Sequence, residues 1–262
     1  MRTDNNRIFL IALAVLVGGF LLFMILPGSG CSKKKDAQTT TNKDKMSPAM
    51  RTYFERIENP PTPDKAMEIL RLGNQRYVQM KSNYALGNNI ERRSFLKDGQ
   101  WPYAIILTSC DSRIIPEYLF DAGLGDLVVI RVAGPVLGTS VFSAIENVLL
   151  EGRCHLLVIM GHEDNIAIKQ AIKAVEHPGS SESFWIDSVG HKIIPSVLNA
   201  KKNRSENSRM EEAVSRLNIE AVMAELKAGS KLIQRHVDSN KLKLIGAYAK
   251  IHSGKVEFLP QK

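Results

Sequence analysis

The residues with the greatest chemical capacity fall in two short passages, each closing an apolar run. Ala104 to Leu107 is apolar and stops at Thr108-Ser109-Cys110-Asp111-Ser112-Arg113. His155 to Met160 is largely apolar and closes on Gly161-His162, with Glu163 and Asp164 behind it. A thiol, a carboxylate, a guanidinium and an imidazole are groups that ligate metals or move protons. If the two runs are neighbouring strands, their ends meet and form a metal or acid/base site. Open α/β sheets place their chemistry at such strand ends.

Alternating elements supply the positioning. Pro63-Asp64 opens a helix, with Thr62 as its cap and Ala66, Ile69, Leu70, Gly73 and Tyr77 at helical spacing. Strands are predicted over Tyr103–Leu107, Leu127–Val132 and His155–Met160, the second rich in β-branched residues. Short or amphipathic helices are predicted over Pro116–Phe120, Thr139–Leu150 and Ile166–Val175. From His177 to Ser208 the pattern is weak. Glu211–Val237 reads as helix, broken near Gly229-Ser230. Leu242–Ala247 and Lys255–Leu259 read as strands joined through Ser253-Gly254 as a hairpin. The fold expected is α/β: a parallel sheet flanked by helices, closed by a C-terminal antiparallel hairpin.

The net charge of +8 is spread along the chain. Its tight basic clusters, Lys33-Lys34-Lys35, Arg92-Arg93 and Lys201-Lys202, are not interleaved with aromatics, so no nucleic-acid partner is expected. Three cysteines, Cys31, Cys110 and Cys154, are too few for a disulfide scaffold and lack C-x-x-C spacing. Cys154, which opens a strand, reads as a small apolar residue.

Three segments are expected. Residues 1–31 form a signal or anchor segment, because Arg2 and Arg7 precede an unbroken apolar run from Ile8 to Leu26. A spanning helix needs about 20 apolar residues, and a cleaved signal core has roughly 7–15. Either the run stays as a signal anchor, or it is a lipoprotein signal with Cys31 lipidated after cleavage. Both readings give an exported, membrane-associated protein. Residues 32–46, rich in Lys, Asp, Gln, Thr and Asn, form a flexible linker. Residues 47–262 form the folded domain.

From Pro63 to Leu259 the chain resembles a β-class carbonic anhydrase. The resemblance rests on AMEILRLGNQRYV, CDSRIIPEYLFDAGLGDLVVIRVAGP, VIMGH, Asn218-Ile219 and LIGAYAKIHSGKVEFL. It implies zinc held by one histidine and two cysteine thiolates, and reversible hydration of CO2 to bicarbonate by metal-bound hydroxide. It implies assembly as a homodimer or higher, with the N-terminal arms wrapped over the partner. It assigns His162 as a metal ligand, and Asp111 and Arg113 as the catalytic pair. The thiolate positions fall on Ser109 and Asn165, and Pro135 stands where the family has Asn. Two neutral donors in place of two anionic sulfurs are expected to weaken zinc retention. Cys110 is displaced by one residue, which on a strand turns a ligand to the other face unless the loop brings it back. Cys110 and Asp111 are then the remaining candidates for an improvised site.

Three functional readings follow. One is a working hydratase with an altered site. Another is a non-catalytic relative binding bicarbonate or another small anion through Arg113 and Arg131. The last is a membrane-tethered structural scaffold, in which Asp111 and Arg113 are a structural ion pair.

Overall fold

A computed structural model describes residues 47–83, 90–179, 183–203 and 209–260. The apolar run Ile8–Leu26, the linker and Cys31 lie outside these residues. Among the described residues, no helix is long and apolar enough to cross a membrane.

Chain order sets a succession of strands and helices. Helix α1 is Pro48–Glu58, α2 is Pro63–Val78 and α3 is Ile90–Leu96. Strand β1 (Ala104–Ser109) leads through α4 (Pro116–Leu119) to β2 (Leu127–Val132). Helix α5 (Thr139–Leu150) then returns to β3 (Leu156–His162). Three helices follow in turn: α6 (Ile166–Glu176), α7 (Phe184–Asn203) and α8 (Met210–Gly229). Helix α9 (Lys231–Asp238) precedes β4 (Lys243–Ala249) and β5 (Val256–Phe258).

The sheet order is β2-β1-β3-β4-β5, with the first four strands parallel and β5 antiparallel to β4. Thus β1 and β3 are direct neighbours, with Leu107 opposite Ile159. Every residue of both strands is buried, as expected where helices cover both faces of a parallel sheet. Alternation divides them between two cores. Ala104, Ile106, Leu156, Val158 and Met160 pack with α2 and Phe120. Ile105, Leu107, Leu157 and Ile159 pack against α5, α8 and α9.

Several expectations are sharpened. Strand β3 extends through Gly161 and His162, which pair with Tyr248 and Ala249 instead of leaving the sheet. Thr62 does cap α2, its hydroxyl accepting the Lys65 N–H, with Pro63 in the first turn. The helix predicted over Glu211–Val237 is divided at Ser230, whose side chain caps α9. Helix α7 carries little sequence signal because Gly190 and Pro195 interrupt its pattern. Tertiary packing holds it: Ile193, Val197 and Ala200 are fully buried against α6 and α8. Helix α1 packs on its own chain, with Tyr53 against Phe95 of α3 and Arg56 paired to Asp126.

Helix α2 meets the turn after α4 at Gly73. A Cβ there would lie 1.9 Å from the Phe120 carbonyl oxygen, a backbone atom that cannot swing aside. Gly73→Ala is expected to destabilise the fold by about 1–3 kcal/mol, despite alanine's better helix propensity. Thermal denaturation reads this, and an unchanged or raised Tm would mean α2 does not seat there.

Candidate active site at the ends of β1 and β3

Strand pairing brings the two chemical passages together. Ser109 is the last residue of β1 and is buried, while Cys110 is exposed and Asp111 lies partly covered behind it. The Cys110 N–H donates to the Val132 carbonyl at 2.8 Å, which carries the parallel ladder one residue past β1. The chain therefore stays extended through Cys110, and alternation directs its side chain away from the face of Ser109. The Ser109 hydroxyl accepts the Asp111 N–H at 3.1 Å, an ST-turn that fixes where the loop leaves the sheet.

Asp111 and Arg113 form a bidentate pair. Arg113 Nε reaches Asp111 Oδ1 at 3.0 Å and Nη2 reaches Oδ2 at 2.7 Å, with the Arg113 N–H on Oδ1 at 2.9 Å. These donors hold the Asp111 carboxyl well below the usual carboxylate range, at about 2. The same guanidinium gives Nη1 to Asp164 Oδ2 at 2.8 Å, and Lys169 donates to the other oxygen of Asp164. Lys169 and Arg113 together depress the Asp164 carboxyl. Arg131, opposite Thr108 in the sheet, donates to the Asp111 carbonyl at 2.7 Å and the Ser109 carbonyl at 3.3 Å. Arg113 is thus engaged by two carboxylates and Arg131 by two backbone carbonyls.

His162 is almost wholly buried, and both its ring nitrogens are committed. Nδ1 lies 2.7 Å from the Glu163 carbonyl, an acceptor only, so Nδ1 carries the proton. Nε2 is then an acceptor, and the Asn165 amide nitrogen donates to it at 2.8 Å. The Asn165 orientation follows from its other end. Its Oδ1 accepts the N–H groups of Ala167 and Ile168 at 2.9 and 3.3 Å, capping α6. A flipped amide would set donors against donors at the helix start. Asp164 between them adopts φ +58°, which turns the backbone sharply enough for Asn165 to face back on His162. Burial lowers the His162 pKa below the ordinary histidine value, the Glu163 carbonyl opposing it.

Cys154 lies before β3, far from this cluster in the chain, and burial pushes its thiol up to about 12. Among the described residues, no group of three or more His, Cys, Asp or Glu is arranged to hold a metal. The structure does bring Ser109, Asp111, Arg113, Arg131, His162 and Asn165 into one cluster. Sequence reasoning missed Lys169 and Asp164 as members and Asn165 as a cap. Asn165 stands immediately before the apolar periodicity of α6, which was the available signal.

Comparison with known proteins places this geometry. The carbonic anhydrase family model matches residues 104–256, which include β1, β3 and every residue of the cluster. Carbonic anhydrase 2 of Mycobacterium tuberculosis is 30% identical over 193 residues, covering 74% of this chain and 91% of that one. The chain belongs to the β-carbonic anhydrase family.

The β-carbonic anhydrase fold is also evident in solved structures. A tetrameric β-carbonic anhydrase from Sordaria macrospora superposes with TM-score 0.57 at 17% identity, covering 65% of this chain and 87% of that one. CafA, a β-carbonic anhydrase of Aspergillus fumigatus, gives TM-score 0.54 at 21% identity, covering 64% and 80%. The family is zinc-dependent in general.

The imidazole environment sets a pH dependence. Because the folded His162 pKa lies below 6.5, the unfolded chain takes up this proton first as pH falls. Its contribution to stability is complete above about pH 6.5 and declines below it. Imidazole NMR is expected to show His162 titrating below the ordinary histidine value in the native protein. Asn165→Ala should cost about 1–3 kcal/mol through the lost cap and hydrogen bond. It should also remove the amide that opposes a proton on Nε2, raising the His162 pKa. An unshifted His162 in that variant would refute the amide contact.

Proposed function

We propose that this protein is a membrane-tethered β-carbonic anhydrase relative that lacks CO2 hydratase activity and keeps the fold as a structural scaffold. The observation that carries the reading is the Asn165–His162 hydrogen bond. Zinc in this family needs the imidazole lone pair together with anionic sulfur donors. Around His162 Nε2 the chain presents an amide N–H, which has no lone pair to give. Freeing Nε2 would require turning Asn165, which breaks both cap bonds of α6. Ser109 at the other thiolate position offers a neutral hydroxyl already accepting a backbone N–H. Cys110 is exposed on a chain still extended beyond β1, and Asp111 is neutralised by Arg113. These residues do not fit zinc, so no catalytic step is assigned to it.

The scaffold reading is favoured over anion binding at this cluster because Arg113 and Arg131 spend their donors within the protein. Asp111 and Arg113 then serve as a structural pair with Asp164 and Lys169. Homodimerisation is part of the proposal. β2 is a sheet edge whose apolar residues Leu127, Val128, Val129, Ile130 and Val132 are only partly covered. Such an edge is a ready surface for pairing.

Elemental analysis and stopped-flow CO2 hydration on the full-length chain in detergent test the activity. The expected result is far less than one zinc per chain and a rate no faster than buffer. Stoichiometric zinc with rapid hydration would overturn the reading. Ser109→Cys combined with Asn165→Cys is expected to restore zinc uptake. If this variant folds and takes up no metal, the two loops have departed from the family geometry.

Light scattering and membrane fractionation address the assembly. A dimer or larger species in the membrane fraction is expected. Cys31→Ser releases a lipoprotein but not a signal anchor, and wild-type protein in the soluble fraction would sink the tether.

A further inference from the structure

Helices α8 and α9 meet in an elbow. At its corner Ser230 is extended, with φ −130° and ψ 113°, between helical residues on either side. One side of the elbow is fixed by the core. Leu226 and Ile233 are fully buried with residues of α5, and the Ser230 hydroxyl donates to Glu146 of α5 at 2.5 Å. The Phe142 ring fills the space against Gly229. The other side presents Lys227, Ala228, Lys231, Gln234 and Arg235, which line a concavity of about 530 Å³. That is room for well over ten waters at about 30 Å³ each.

Three of these five residues are cations, and no carboxylate is among them. The neighbouring acids are engaged elsewhere. Glu146 holds Ser230, Glu225 faces Lys192 at 3.8 Å, and Asp238 accepts the Gln234 amide at 2.6 Å. Arg235 Nε donates to the Lys231 carbonyl at 3.2 Å, which leaves the rest of its guanidinium fork open. Among the described residues, Lys227, Lys231 and Arg235 form no ion pair.

Local rules oppose this placement. Lys231 and Arg235 are four residues apart on α9, where like charges repel. Lys231 also stands in the first turn, at the positive pole of the helix. Such a breach without a compensating contact inside the chain is expected at functional positions. A multiply charged anion in the concavity relieves the mutual repulsion and the clash with the dipole together. No aromatic ring lines the concavity, so a nucleobase finds nothing to stack on. Compact oxyanion charge is what ammonium groups and an arginine fork recognise.

We propose that the α8–α9 elbow is a binding site for a multiply charged phosphate group, held by Lys227, Lys231 and Arg235. The same chemistry is offered by a soluble diphosphate and by a phospholipid whose headgroup is a phosphate monoester. The inference uses no residue around His162, so it stands or falls apart from the scaffold reading.

The test is thermal denaturation of the full-length chain in detergent at fixed ionic strength. In one arm sodium diphosphate replaces sodium gluconate stepwise. In the other, phosphatidic acid replaces phosphatidylcholine in the micelles. A saturable rise in Tm, about 3–6 °C at tenfold excess over Kd, is expected in at least one arm, and the responding arm identifies the source. Lys231→Glu turns the repulsion with Arg235 into an attraction and suits the helix pole. Its Tm without anion should therefore equal or exceed that of the wild type, while the response disappears. Lys201→Gln with Lys202→Gln, at an exposed basic pair on α7, should leave the response intact. Unchanged Tm in both arms overturns the proposal. So does an intact response or a lower anion-free Tm in Lys231→Glu, or an equal loss of response in the α7 variant.

Discussion

The amide of Asn165 has one acceptor end and one donor end, and the arrangement around His162 depends on both being used. The oxygen closes the first turn of α6, where helix N–H groups would otherwise be unsatisfied. The nitrogen is thereby aimed at the imidazole, and the imidazole is held in one tautomer by the Glu163 carbonyl. Helix start, loop and strand end become one hydrogen-bonded unit in which no member can rotate alone. A partly satisfied network at this depth would be costly, and this one is fully paired at the imidazole.

Magnitudes decide how such a cluster survives. A hydrogen bond of this kind contributes about 1 kcal/mol net. A structural zinc in a small metallo-domain contributes about ten times as much. The amide therefore cannot replace a metal as a source of folding energy, and the frame must hold itself. It does so through β1 and β3, buried along their whole length between two apolar cores. On the proposed reading, chemistry changed at the strand ends while the sheet that presents them stayed intact.

Charged side chains pair differently at the two clusters. Around Asp111 and Asp164, two carboxylates face Arg113 and Lys169. Around Asp126, Arg56 and Arg92 both pair with the same carboxylate. Family membership drew attention to the first cluster. The second draws on α1 and α3, which lie outside the matched residues 104–256.

The sequence by itself determined the fold class, the order of elements along the chain and the residues of the first cluster other than Asp164 and Lys169. Periodicity and turn chemistry are local, so Thr62, Ser230 and the apolar runs announced their elements directly. Helix α7 escaped because its stability comes from Ile193, Val197 and Ala200 meeting distant helices, which no window of sequence contains. The partnership of Asn165 with His162 was likewise invisible: the family resemblance named both positions, but only the folded loop set the direction of the amide. Tyr53, Arg56, Arg92 and Asp126 span seventy-odd positions and came together only through docking of α1. Local patterns fix what an element is, whereas burial and pairing across the fold fix what its side chains face.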